Sequence, residues 1–187
     1  MKDYTGQINA YYDNLKATID KIDRNEINLA MEALKQARDN KKYVFIMGNG
    51  GSASTASHFA GDFNKGLSLN RDSRFRLYCL NDNAATVLSL ANDVAYDAIF
   101  VEQLKNFLSE GDVVMAISGS GNSKNVVRAV EYAKVRGNKV IGLTGYGGGE
   151  LMKLSDIKLH IPIDDMQVVE DLHMVFDHLI MSILYRE

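Results

Sequence analysis

A chain of 187 residues, 46% hydrophobic and 24% charged, has the size and make-up to bury one ordinary core, which excludes a disordered polymer. Its 21 Lys and Arg against 24 Asp and Glu leave a formal charge of -3, so the basic field that nucleic-acid binding requires is missing. The lone Cys79 has no disulfide partner and sits in no CxxC pair, and no run reads as a signal peptide or membrane span; a cytoplasmic protein with no nucleic-acid or membrane partner is the expectation.

From Tyr4 to Asp39 the apolar residues Ile8, Tyr11, Leu15, Ile19, Ile22, Ile27, Met31 and Leu34 recur at helical spacings among charged positions. That periodicity predicts two amphipathic helices, or one broken one. Residues 1–40 therefore read as a helical preamble whose apolar stripe needs a partner surface, and oligomer contacts are the expected use. Tyr43 to Met47 is a short β-rich apolar run ended by Gly48. Similar runs follow at Arg76–Leu80, Val113–Ile117, Lys139–Leu143 and Ile157–Ile161, with helical patterns between them. Strands spaced in this way predict an α/β core over residues 41–187: a three-layer, doubly wound, parallel five-stranded sheet. Pro162 falls after the last strand and before a closing helix at about Val168–Tyr185, where it interrupts no ladder. The whole chain, 1–187, reads as a single domain.

Chemistry is concentrated in the loops. The first strand runs into Gly48-Asn49-Gly50-Gly51-Ser52-Ala53-Ser54 and then a helical pattern through Lys65. Glycines let the backbone turn close to a ligand, and the helix N-terminus beyond them offers free N–H groups and a favourable dipole to an anion. After the third strand, Ser118-Gly119-Ser120-Gly121-Asn122-Ser123 repeats the device with three hydroxyls, and Gly145-Tyr146-Gly147-Gly148-Gly149 follows the fourth. One such turn alone is more often structural than ligand-binding. Three in a small α/β chain point to a phosphate, and neither the P-loop nor the dinucleotide fingerprint is present, so the phosphate belongs to something other than a nucleotide.

Taken together, Gly48-Asn49-Gly50-Gly51-Ser52-Ala53, His58-Phe59-Ala60, Ala91-Asn92-Asp93, Ile117 to Ser123 and Leu143-Thr144-Gly145 resemble the phosphoheptose isomerase family, over nearly the whole chain. The resemblance implies a flavodoxin-like sugar-isomerase (SIS) domain and a homotetramer. It also implies an enzyme interconverting sedoheptulose 7-phosphate and D-glycero-D-manno-heptose 7-phosphate for lipopolysaccharide or capsule heptose, with one zinc per subunit. Carried across by position, it makes Asn49, Gly50, Gly51, Ser52, Asn92, Asp93 and Glu170 substrate contacts. Ser118, Gly119, Ser120 and Ser123 become the phosphate loop. Zinc falls to His58, Asp62, Glu170 and His178, and catalysis to Asp62 as base with His178 as acid partner. Three positions depart from the family pattern: Asp62 stands for a glutamate, Glu170 for a glutamine, and Gly119 for a frequent threonine.

The residues themselves give partial support to that metal set. His58 and Asp62, four apart, share a helix face where a metal could bridge them, though a plain His–Asp hydrogen bond has the same spacing. The closing helix offers Glu170, His173, Asp177 and His178, a nitrogen and oxygen set suited to zinc, although charged residues on a terminal helix are commonly a solvated face. Glu170 and His178 are separated by roughly 12 Å of helical rise, so they cannot chelate as neighbours: either long side chains close on the metal from above and below, or the ligands come from different subunits, while Glu170 with His173 is the easier local pair and His173 the fallback. Two other readings stay open: an isomerase of another phosphosugar, and a non-catalytic SIS protein of the type that associates with the bacterial replication initiator.

Overall fold

The computed structural model describes residues 2–187. The preamble forms two helices, α1 (Thr5–Ile19) and α2 (Arg24–Asp39). Asp23 caps α2 by accepting a hydrogen bond from the Asn25 N–H at 2.8 Å. Helix α2 buries Ile27, Ala30, Ala33, Leu34 and Ala37. Helix α1 buries only Thr18 and leaves Ile8 and Tyr12 exposed, so much of the apolar stripe expected to need a partner is uncovered within one chain.

The strands are β1 (Val44–Met47), β2 (Leu77–Cys79), β3 (Val113–Ser118), β4 (Lys139–Thr144) and β5 (Ile157–His160). All pair in parallel in the order β2-β1-β3-β4-β5. Strands covered on both faces can be apolar throughout, and β1 and β3 are buried at every position. Side chains alternate between the two faces: Val44, Ile46, Val113, Met115 and Ile117 join one core, while Phe45, Met47, Val114 and Ala116 join the other. The first core lies under α2, α3 (Gly51–Gly61) and α8 (Met166–Leu184). The second lies under α5 (Val101–Phe107) and α6 (Lys124–Val135), with partial cover from α4 (Ala84–Asp93) and α7 (Gly149–Leu154). The doubly wound α/β sheet expected from the strand spacing is the one observed.

This strand order reverses direction between β1 and β3, which places a crevice outside their carboxyl ends, the usual ligand position in an open α/β sheet. Both serine- and glycine-rich loops leave the sheet there. Helix α3 does not stop at Gly61 but widens into a π turn over Asp62–Gly66, an irregularity that marks functional positions more often than plain helix does. The closing helix starts two residues before the expected Val168, because Asp165 caps it by accepting from the Gln167 and Val168 N–H groups.

Candidate functional site

The first loop is held by side chains distant in sequence. Asn81 pairs with Gly48 in both directions, accepting from its N–H at 3.2 Å and donating to its carbonyl at 2.8 Å. Gly50 precedes α3 with φ +56°, a left-handed conformation that disfavours a Cβ. Asn49 exchanges two hydrogen bonds with buried Asn125, at 2.8 and 2.9 Å, and its amide oxygen also accepts from the Tyr96 hydroxyl at 3.0 Å. Its orientation is thereby fixed, with the amide oxygen already twice bonded. Ser52 is buried in the first turn of α3.

The second loop leaves the end of β3, where the Ser118 hydroxyl donates to Ser123 Oγ at 3.1 Å. Ser120 is exposed, and its hydroxyl accepts from the Asn122 N–H at 3.3 Å. A Cβ on Gly119 would come 2.7 Å from Met166 Sδ, so Met166 fills the space a threonine there would take. A Cβ on Gly121, at φ +68°, would overlap the Gly148 carbonyl. The third glycine-rich loop braces the second: the Gly145 N–H donates to the Gly119 carbonyl at 2.8 Å, the Leu151 N–H to the Gly121 carbonyl at 2.9 Å, and the Glu150 N–H to Asn122 Oδ1 at 3.1 Å. Asn92 and Asp93 end α4, exposed and hydrogen bonded to each other at 2.7 Å.

Two helices bring the titratable residues together. His58 on α3 and His178 on α8 approach to 3.1 Å between their Nε2 atoms. Asp62 Oδ2 stands 3.5 Å and Asp177 Oδ2 3.9 Å from His58 Nε2. One donor atom from each of His58, Asp62, Asp177 and His178 lies within 4.8 Å of all the others. An open cleft of about 700 Å³ beside them is lined by Ala53, Ser54, Ser57, His58, Gly61, Asp62 and Asn81. The Asp177 side chain is 0% exposed, and neither carboxylate oxygen has a hydrogen-bond partner. Burial, reinforced by the charge of Asp62, pushes its carboxyl up to about 7.

The site expected from the sequence is thus assembled in part. His58, Asp62 and His178 converge, whereas Glu170 lies at the other end of the helix pair, where a Cβ on Gly51 would overlap its carboxylate. His173 does not join the group either: it lies on the buried face of α8 with both ring nitrogens unpartnered among the described residues, and burial drives its pKa down to about 4. Asp177 belongs to the cluster noted on the closing helix but was not among the expected ligands. Asn81, Asn125 and Tyr96 had no local signal in the sequence.

Two imidazoles and two carboxylates are a donor set suited to a borderline divalent cation such as zinc. Two ligands on a tetrahedral ion with bonds near 2.05 Å stand roughly 3.3 Å apart, close to the 3.1 and 3.5 Å separations of His58 from His178 and Asp62. The residues present therefore fit the metal that the resemblance implied.

A parallel sheet with serine and glycine loops at its switch point and a His–Asp group beside them defines the class of SIS-domain sugar-phosphate proteins, and residues 10–145 match the SIS domain family. The phosphoheptose isomerase of Aliarcobacter butzleri is 36% identical over 159 residues, 85% of this chain and 82% of that protein. The phosphoheptose isomerase of Helicobacter pylori strain P12 is 33% identical over 180 residues, 95% of this chain and 91% of that protein. The structure of phosphoheptose isomerase from Neisseria gonorrhoeae superimposes with a TM-score of 0.90 at 27% identity, over 99% of this chain and 100% of that one. The chain belongs to the phosphoheptose isomerase family.

Proposed function

We propose that this chain interconverts sedoheptulose 7-phosphate and D-glycero-D-manno-heptose 7-phosphate. The observation that carries the reading is the convergence of His58 and Asp62, on the helix that leads out of the first glycine loop, with His178 of α8. The serine loop, with Ser118, Gly119, Ser120 and Ser123, anchors the phosphate. Asn49, Gly50, Gly51 and Ser52 hold the sugar chain, with Asn92, Asp93 and Glu170 completing the contacts. Binding the remote phosphate supplies the energy that positions the reacting carbons.

Ketose-to-aldose conversion moves one proton between adjacent carbons. The Asp62 carboxylate takes a proton from C1, the electron pair left behind forms the C1–C2 double bond of an enediolate, and a proton returns at C2. Meanwhile O2 gains a proton and O1 loses one, and His178 serves that exchange. Zinc, held by His58, Asp62 and His178, would supply Lewis-acid polarisation of the sugar oxygens when bound. Half-exposed His58 and Asp62 leave the reacting end reachable from the cleft.

An Asp62→Asn variant keeps the shape but loses the base and one charged zinc donor, so it is assayed at saturating zinc. Its kcat should fall by about 10²–10⁴-fold with KM little changed, the range for general acid–base catalysis. Steady-state kinetics on sedoheptulose 7-phosphate checks this, and normal turnover would remove Asp62 from the base role.

The reading extends to assembly and setting: a homotetramer of the cytoplasm that feeds heptose into a surface polysaccharide. Its support is an apolar groove of about 330 Å³ lined by Ile19, Ile22, Ile27, Met31, Leu179 and Ile183, where the preamble meets α8.

A further inference from the structure

We infer that Asp177, rather than the same chain's Glu170, is the fourth metal donor of this chain. The inference rests on the metal site proposed above and changes its composition.

The register of the two helices decides which carboxylate reaches the histidines. Glu170 meets α3 at Gly51, while Asp177 and His178 meet it at His58. The two levels are seven positions apart on α3, and seven or eight on α8, so the helices run side by side in the same direction. At 1.5 Å per residue the Glu170 level stands about 10 Å from the histidine level. Within one chain a glutamate side chain is too short to bridge that distance. Glu170 is instead placed beside the N-terminal turn of α3, where the helix dipole favours its charge.

Asp177 has the opposite character. It sits one residue from His178, and its carboxylate is directed at His58 from a position with no solvent exposure. Buried carboxylates are ordinarily satisfied by hydrogen bonds or a cation, because leaving their oxygens desolvated and unpaired is unfavourable. Among the described residues neither Asp177 oxygen has a hydrogen-bond partner, and the groups within reach are the two imidazoles and Asp62. A cation between them satisfies Asp177, separates the two histidines, and offsets the repulsion between the two aspartates. With Asp177 in this role, a neutral glutamine at position 170 is unnecessary for metal binding, and the glutamate found there is free to face the first loop.

The test is zinc affinity, measured by competition with a chromophoric chelator on the full chain, for the wild type and for Asp177→Asn and Glu170→Ala. The wild type should bind one zinc per chain. Asp177→Asn should weaken binding by more than about 100-fold, beyond the roughly 10–100-fold that loss of a merely supporting residue produces. Glu170→Ala should stay within about threefold of wild type. Asp177→Cys loaded with cobalt should also show a thiolate-to-cobalt charge-transfer band, which only direct contact with the ion produces. Far-UV circular dichroism of the metal-free variants separates loss of a donor from loss of fold. Near-wild-type affinity in folded Asp177→Asn, or a loss within the supporting range, would overturn the assignment, as would an Asp177→Cys protein that binds cobalt without the band. A wild type that takes up no zinc at all would instead bring down the metal reading on which the inference stands.

Discussion

Among single residues, the buried pair on α8 has the clearest pH signature. His173 titrates at about 4 when folded against 6.5 when free, because burial disfavours the imidazolium. Between those values the unfolded chain binds more protons, so the stability His173 contributes is complete above pH 6.5 and is lost as the pH falls towards 4. At pH 5 the loss amounts to about 2 kcal/mol. In the metal-free protein Asp177 works the other way: its carboxyl titrates at about 7 when folded against 3.8 when free, so its contribution is complete below 3.8 and is lost as the pH rises through 7. The two windows overlap and partly cancel. A His173→Leu variant, stripped of metal, should therefore gain about 2 kcal/mol relative to wild type on going from pH 7.5 to pH 5. Urea unfolding at the two pH values measures that difference, and parallel pH profiles for the two proteins would show that His173 does not titrate in this way.

Between elements, the two kinds of packing left different traces in the sequence. The strands were legible because a parallel strand buried on both faces is an uninterrupted apolar run, as in Tyr-Val-Phe-Ile-Met before Gly48 and Val-Val-Met-Ala-Ile before Ser118. The loops were legible because glycine and serine cluster where strands enter helices. What could not be read was the register between α3 and α8, which selects the turn of α8 that faces His58. Residue spacing within one helix carries no information about its axial position against another. One signal was nevertheless available: Asp177 and His173 stand at helical spacing with Val169, Ile180 and Leu184, on the stripe that α8 buries. A carboxylate on such a stripe requires a partner. The supports of the first loop had no comparable trace, since Asn125 lies 76 residues from Asn49 and Asn81 lies 33 from Gly48. The glycine-rich turn after β4 carries the same signal in sequence as the other two loops, while its backbone bonds brace the second of them.

At the scale of the whole molecule, the sheet topology and the family agree on where a phosphosugar belongs. The exposed face of α1 and the apolar groove along α2 and α8 are surfaces that copies of the chain would cover. Light scattering at micromolar concentration should give four times the 20.8 kDa chain mass, and a monomer would remove the assembly proposal. The central claim concerns chemistry, and substrate conversion tests it most directly. The purified protein is incubated with sedoheptulose 7-phosphate and zinc, and the sugar is followed by NMR. The account predicts that signals of D-glycero-D-manno-heptose 7-phosphate appear, that a chelator stops their growth, and that added zinc restores it. A folded, zinc-loaded protein that leaves sedoheptulose 7-phosphate unchanged would contradict it.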